Sequence, residues 1–390
     1  MNKIAVLVVG SGGYGGVVLK EILKDSPSDM EIVAIVDPYA EKSPLFTTIT
    51  EMNIPIFEDM EGAFSTLRAQ GIQVQFTYIA TPIQFHVQQI FCAVKNGSNV
   101  LCEKPMTGDL KDVAALENLV RESDKFVAIG YQWSFSRAIQ ALKSDVQAGV
   151  FGKPLLFKTL VFWPRNESYF TRSTGWAGKI YAANGEKILD SIVNNAAAHF
   201  LHNILYVLGK ERDGAVSVTD LRATLLCVND IQTFDTANVH FTMDNGAKGI
   251  LVFSHSTKEE IEPMFTYYFE EATVAYSAET GKVIAHFNDG RVKEYGDPFT
   301  DGAANKFRLC IQAVKQGERE ILCGVNAAKE QVKCVALLHE TNGVFSVKKN
   351  CVTLEDGQRV VKGLGELLLR CYQEEILLEE LKEFQEIVER

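Results

Sequence analysis

An apolar run, Ile4 to Val9, breaks into a turn carrying Gly10, Gly12 and Gly15, and that order restricts the fold of this chain more than any other feature. G-x-G-x-x-G directly after a strand marks a dinucleotide-binding βαβ unit. One glycine permits the tight turn, one lets the backbone approach a pyrophosphate, and one lets helix pack on strand. A helix from Tyr14 to about Lys24 would aim its unpaired N–H groups and positive dipole end at the phosphates. Gly13 and Tyr14 lie in the same turn and join the candidate cofactor contacts. A second apolar run, Glu31 to Val36, ends at Asp37, at the distance where an acidic side chain accepts from an adenine ribose. A carboxylate there repels a 2′-phosphate, and sites for NADP commonly set an Arg nearby. Pro38 and Tyr39 follow instead, and the first cation is Lys42, so NAD is favoured over NADP.

A chain of 390 residues exceeds the size at which one core keeps growing, so two domains are expected. Hydrophobic residues make up 46% and charged residues 23%, the balance of an ordinary soluble globular protein. A net charge of −11 argues against nucleic acid or an anionic membrane surface as the main partner. The opening apolar stretch runs straight into the glycine turn and reads as a strand, not as a signal peptide. Nor does any uncharged apolar run approach the roughly 20 residues of a membrane span. The eight cysteines show no C-x-x-C pair or other zinc spacing, and small reduced thiols of a cytoplasmic protein are the expectation.

Up to about Trp133, short apolar strands alternate with amphipathic helices, the grammar of a Rossmann-type, doubly wound parallel sheet. Beyond the first two strands come Ile54–Phe57, Val74–Ala80, Asn99–Cys102 and Phe126–Gly130. Ligands of such sheets lie past the carboxyl ends of the strands. After Trp133 the grammar changes. A helix over about Ser136–Ala148 leads to a long strand, Leu155–Trp163, and a second helix covers about Asn194–Leu208. Strands then follow in series from Ala215 to Phe287, with Asp244-Asn245-Gly246 and Asn288-Asp289-Gly290 as hairpin turns. Strands in series predict a mostly antiparallel open sheet flanked by helices, with one face packed and the other solvated or used for association. The fold class is thus α/β plus α+β. The expected divisions are 1–131 for cofactor binding, 132–345 for substrate and oligomerisation, and 346–390 as a C-terminal extension. In that extension an acidic helix, about Leu364 to Val388, carries an apolar stripe of Leu367, Cys371, Leu378, Leu381, Phe384 and Val388. Such a stripe packs on its own domain or on a neighbouring subunit.

Three further segments narrow the reading: Ala80-Thr81-Pro82 with His86, Glu103-Lys104-Pro105, and Asn195-Ala196-Ala197-Ala198-His199. Together with the glycine turn, this set resembles the Gfo/Idh/MocA family of nicotinamide-dependent oxidoreductases over roughly the first 340 residues. The resemblance implies that Thr81, Pro82 and His86 line the middle of the cofactor and that Glu103 and Lys104 lie near the nicotinamide. It also sets Tyr131 and Gln132 at a hinge, where either could touch that same end. Members of the family generally show Asp-x-Gly-x-His with a further Asp three residues on. Here Asn195 stands at the first Asp, Ala197 at the Gly and His202 at the last Asp. Asn can hold an imidazole or a hydroxyl in place but cannot take up a proton.

Oxidation of a secondary alcohol needs a base at the hydroxyl oxygen as hydride leaves the carbon. Lys104 follows a strand end, and partial burial beside an oxidised nicotinamide would bring its pKa towards a useful range. Proton transfer then rests on Lys104 and His199, with Asn195 orienting and His202 or Asp190 as stand-ins for the missing acid. If helical, 195, 199 and 202 share one face. His-x-x-His on a helix also suits a metal, but spacing supplies no third ligand, so none is expected. Substrate contacts are expected from Trp163, Arg165, Tyr169, Arg172, Trp176 and Lys179, with His202 and the neighbouring Tyr181. Aromatic faces stack on sugar C–H surfaces, and cations donate to hydroxyls or carboxylates.

The expected activity is NAD-dependent oxidation or reduction at a CH–OH group of a sugar, polyol or related carbohydrate-like compound, in a homo-oligomer, dimer or tetramer. Two rivals are a redox-neutral glycosidase that uses bound NAD transiently and a non-catalytic dinucleotide-binding regulator on the same fold. Loss of the family Asp at 195 favours the regulator; retention of Glu-Lys-Pro opposes it.

Overall fold

The computed structural model describes residues 3–25, 28–172, 175–341 and 343–389, and the chain divides into two compact units. The first comprises Met1–Thr107, Lys111–Ser136 and Phe299–Lys329; the second comprises Gly108–Leu110, Arg137–Pro298 and Glu330–Arg390.

In the first unit the strands are β1 (Ile4–Val9), β2 (Met30–Val36), β3 (Ile56–Phe57), β4 (Phe76–Ile79), β5 (Asn99–Cys102) and β6 (Val127–Ile129). They pair in parallel in the order β3-β2-β1-β4-β5-β6, the doubly wound arrangement with a crevice beyond the strand ends. β4 is buried at every residue, which is why it reads as a continuous apolar run and not as an alternating one. The helix Asn305–Gln316 belongs to this unit, although a linear division at residue 131 assigns it to the second domain. Its Phe307 meets Phe76 and Tyr78 edge-on, with ring centroids 5.3 and 5.8 Å apart. This long-range packing, which local periodicity does not encode, brings the segment back to the first sheet.

The second unit holds β7 (Pro154–Phe162), β8 (Val218–Cys227), β9 (Thr236–Met243), β10 (Lys248–Ser254), β11 (Ile261–Phe269), β12 (Ala272–Ser277), β13 (Lys282–Phe287), β14 (Val292–Gly296) and β15 (Val344–Ser346). Their order is β14-β13-β12-β11-β7-β10-β9-β8-β15. Neighbours are antiparallel except β7 with β10 and β8 with β15. Both hairpin turns form where the sequence signals them, closed by Met243 N–H to Ala247 O and Phe287 N–H to Arg291 O, each 2.9 Å.

Alternation along the strands divides two packed faces. On one, Phe200 of the helix Ala198–Val207 meets Phe253 of β10, and Asn203 Nδ2 donates to the Tyr267 hydroxyl of β11 at 2.8 Å. On the other, Leu160, Phe162, Leu226, Ile250 and Val252 form a core with Leu364, Leu368, Cys371, Leu378, Leu381 and Phe384. A face expected to be solvated or free for association is therefore covered, over its central strands, by the chain's own C-terminal segment. The central strands on that side are already packed and do not offer a bare face to a second subunit.

That segment is not one helix over 364–388. A helix Leu364–Glu374 ends where Glu375 takes a left-handed backbone, φ +60°, and a second helix, Phe384–Ile387, follows. The break lets the backbone satisfy buried polar groups of the sheet: Leu378 N–H donates to Asn238 Oδ1 at 2.7 Å and Glu379 N–H to Thr224 Oγ1 at 3.2 Å. The hairpin β16 (Val352–Glu355) and β17 (Gln358–Val361) precedes it. Leu368 is fully buried in this core, so Leu368→Ala is expected to cost about 2–5 kcal/mol, read from the urea midpoint; a shift below about 0.5 kcal/mol would mean the segment is peripheral to stability.

Candidate functional site

The helix Gly13–Asp25 starts inside the glycine turn and has no acidic residue in its first turn, which leaves its positive end open to an anion. Gly10 sits at φ +91°, and a Cβ on it would meet Ala80 O at 2.7 Å; one on Gly15 would meet the Ala80 methyl at 2.6 Å. A Cβ on Gly12 would meet nothing within 4 Å, and that open space is the cradle a pyrophosphate needs. Asp37 Oδ2 accepts from Ser11 N–H at 2.9 Å and from the Ser11 hydroxyl at 2.7 Å, while Oδ1 accepts from Tyr39 N–H at 2.9 Å. An ionised carboxylate has about four acceptor positions, and with three taken about one remains for a ribose hydroxyl. Ser11 is a site residue the sequence reading missed: a small polar side chain between two glycines gives no signal until the second strand brings Asp37 beside it. Lys42, the first cation after Asp37, lies over the Tyr39 ring at 5.0 Å.

Tyr14 donates to Gln132 Oε1 at 2.8 Å, joining two candidate cofactor residues far apart in sequence. Burial, with Glu103 next, raises the Tyr14 phenol well above its ordinary value and keeps it a donor. Thr81 and Pro82 stay partly exposed. His86 does not: it is 1% exposed, with Nδ1 2.8 Å from Pro105 O and Nε2 2.8 Å from Thr81 O. It ties the loop after β4 to the loop after β5 and, with both nitrogens engaged, has no edge left for a cofactor.

Glu103 is likewise an interior residue. Its carboxylate receives the Lys306 ammonium at 2.7 and 2.9 Å and the Tyr78 hydroxyl at 2.8 Å. Lys306 also donates to Gly130 O at 3.2 Å and lies 4.7 Å from the centre of the Tyr14 ring. A Cβ on Gly130 would stand 2.7 Å from the same carboxylate. Neither Lys306 nor Tyr78 was legible as a partner. The ends of β4, β5 and β6 are thus joined through one carboxylate and its ammonium partner, and Lys104, the next residue, is partly exposed and joined to Pro105 by a cis peptide.

In the second unit the expected helix from Asn194 begins only at Ala198. Asn195 lies in the turn before it, with its N–H on Ser191 O at 3.0 Å, so 195, 199 and 202 do not form one helical face. The Asn194 side chain holds this turn, donating to Ile188 O at 2.9 Å and accepting from Gln331 at 3.1 Å. His199 is partly exposed in the first helical turn. His202 is 1% exposed and stacked on Tyr206 at 5.4 Å. Burial, with Lys143 adding, pushes its imidazole down to about 3, so it is a neutral core residue and not a replacement acid. Asn195 instead shares a small pocket with Asp190, Ser191, Tyr169, Asp235 and His255. Asp190 Oδ2 accepts from Gly178 N–H at 2.6 Å. Asp235, held by Asn229 and Val228 N–H groups, is pushed up to about 6 by burial.

Five of the aromatic and basic candidates form one stack. Arg165 lies 5.8 Å from the Trp163 ring and 5.2 Å from Tyr169; Arg172 lies 4.2 Å from Tyr169 and 4.3 Å from Trp176. Lys179 is partly exposed beyond them and Tyr181 is exposed. Among the described residues no group of three or more His, Cys, Asp or Glu side chains is placed to hold a metal, and no helix is long and apolar enough to cross a membrane.

Residues 4–131 match the family model described as "Oxidoreductase family, NAD-binding Rossmann fold". Among curated proteins, D-apiose dehydrogenase of Rhizobium rhizogenes is 28% identical over 189 residues, covering 48% of this chain and 50% of that protein. Inositol 2-dehydrogenase of Rubrobacter xylanophilus is 31% identical over 167 residues, covering 42% and 45%. The chain therefore spans half or less of the length of these relatives. Among solved structures, an oxidoreductase from Agrobacterium radiobacter in complex with NAD+, L-tartaric acid and magnesium superposes with a TM-score of 0.69. That match covers 87% of this chain and 96% of that one at 19% identity.

Two predictions follow from the buried charges. Lys306→Ala leaves the interior Glu103 carboxylate uncompensated and is expected to cost about 3–5 kcal/mol in urea denaturation, whereas Lys306→Met with Glu103→Gln recovers most of it. The second concerns acid. His202 and His255 sit at about 3 and His339 at about 4, all through burial, while the unfolded chain protonates its histidines from about pH 6.5 downward. The unfolded state then binds more protons, so stability falls as pH drops; Asp235, protonated in the folded state up to about 6, opposes this only in part. The thermal midpoint is expected to fall between about pH 7 and pH 5, and a flat profile would refute it. Residues 4–131 thus resemble the NAD-binding Rossmann domain of the Gfo/Idh/MocA oxidoreductases, a match over about a third of the chain.

Proposed function

We propose that this protein is an NAD-dependent oxidoreductase acting on a secondary hydroxyl of a sugar, polyol or related polyhydroxy compound, with Lys104 as the acid–base residue. The observation that carries the reading is the position of Lys104, directly past the end of β5 and one residue beyond a Glu103 fixed by Lys306 and Tyr78. In a sheet of this order ligands bind beyond the carboxyl ends of the strands. A lysine that follows a residue held by two partners starts from an anchored position at that edge.

The open space at Gly12, the unopposed helix start at Gly13 and the remaining acceptor capacity of Asp37 fit NAD. Bound NAD supplies the hydride acceptor. Lys104 Nζ takes the hydroxyl proton in oxidation and returns it in reduction. His199 assists in that transfer. Asn195 donates or accepts a hydrogen bond to a substrate hydroxyl and moves no proton. Of the two stand-ins for the family Asp, Asp190 is favoured over His202, because Asp190 lines the same pocket as Asn195 while His202 is held neutral in the core. The first unit would carry the cofactor and the second the substrate groups.

Lys104→Ala is expected to lower kcat by about 10²–10⁴ and to leave NAD affinity within about twofold, measured by steady-state NADH formation and by NAD titration of protein fluorescence. Equal turnover in both forms would remove Lys104 from the chemistry.

A further inference from the structure

Arg165 and Arg172 are held face-on by rings, and part of each guanidinium edge meets no carboxylate. Tyr169 and Trp176 cover Arg172 at 4.2 and 4.3 Å, which leaves only the rim of the guanidinium for hydrogen bonding. On that rim Nε and Nη2 are closed off from solvent and have no hydrogen-bond partner among the described residues, and the same holds for Nε of Arg165. Two carboxylates of this region are engaged elsewhere, Glu167 with Arg359 at 2.7 Å and Glu262 with Trp163 Nε1 at 3.1 Å, and Asp190 takes Gly178 N–H on Oδ2 at 2.6 Å while its Oδ1 makes no hydrogen bond to either guanidinium. Buried donors without an acceptor destabilise a fold, and a chain of net charge −11 has carboxylates to spare. Among the described residues none is supplied to these atoms. The Nε–Nη2 edge is the side of a guanidinium whose two parallel N–H groups match both oxygens of one carboxylate. Tyr169 joins this edge to the pocket of Asp190 and Asn195.

We infer that Arg172, with Arg165 beside it, is a carboxylate-binding station, and that the substrate is a polyhydroxy acid and not a neutral sugar. This rests on the reading of the chain as an oxidoreductase of polyhydroxy compounds. Calorimetry on the NAD-saturated full chain would compare D-gluconate with D-glucitol and D-glucuronate with D-glucose, with glucose 6-phosphate as the phosphate arm. NADH formation would be followed on the same panel. At least one acid is expected to bind about tenfold or more tighter than its neutral counterpart. Arg172→Lys, which keeps the charge and loses the fork, is expected to erase that margin by raising KM with kcat nearly unchanged. Acids that bind no tighter than neutral partners, no acid binding at millimolar concentration, preference for the phosphate, or an unchanged margin in Arg172→Lys would each overturn the inference. Acid binding that is lost in Arg172→Lys without any NADH formation would sustain it while removing the redox reading. Oxidation of neutral sugars with no gain for acids would do the reverse.

Discussion

One buried charge pair, Lys306 with Glu103, sets the geometry on which the first unit depends. The carboxylate is held by an ammonium and a phenol, and these groups come from the end of β5, from β4 and from a helix some two hundred residues downstream. A paired interior charge of this kind stabilises little relative to an apolar filling, yet is costly to break. Its effect here is positional. Gly130 must lack a side chain for the carboxylate to lie where it does, His86 links the neighbouring loops through main-chain oxygens, and Lys104 inherits a fixed base.

The second unit meets a different requirement, a wide sheet with two faces to cover. Its helix Ala198–Val207 is buried at nearly every residue and serves one face; the C-terminal segment serves the other. Covering both faces of the central strands from within the chain reduces the exposed apolar surface that an open sheet otherwise presents. It also explains the buried Asn238 and Thr224 on strands otherwise rich in apolar residues, since the segment's backbone supplies their partners.

Much of this was legible because it is local. β1 and β5 have the ends the apolar runs predict, and the glycine turn with Asp37 points to the cofactor fold from local sequence alone. What escaped was set at long range. Nothing around Lys306 distinguishes it from a lysine on a wet helix face, since its partner lies 203 positions away. Asn194 and Asn195 precede three alanines and read as helix, but Ile188 O and Gln331 take the Asn194 amide and keep the segment in a turn. At Glu375 neither glycine nor proline announces the end of the helix; the sheet beneath decides it. The Trp163–Trp176 segment is rich in rings and cations by composition, but composition does not carry their alternation into a stack.

The return of Phe299–Lys329 to the first unit bears on how this chain is made. During synthesis the six strands of the first sheet leave the ribosome long before Lys306, Phe307 and Cys323 exist. Until then Glu103 has no counter-charge and Ile129 N–H lacks the Cys323 carbonyl that it finds in the finished molecule. The nucleotide half is therefore no detachable cassette. A chain ending at Ser136 would hold every recognisable motif of that half and still be unable to close it.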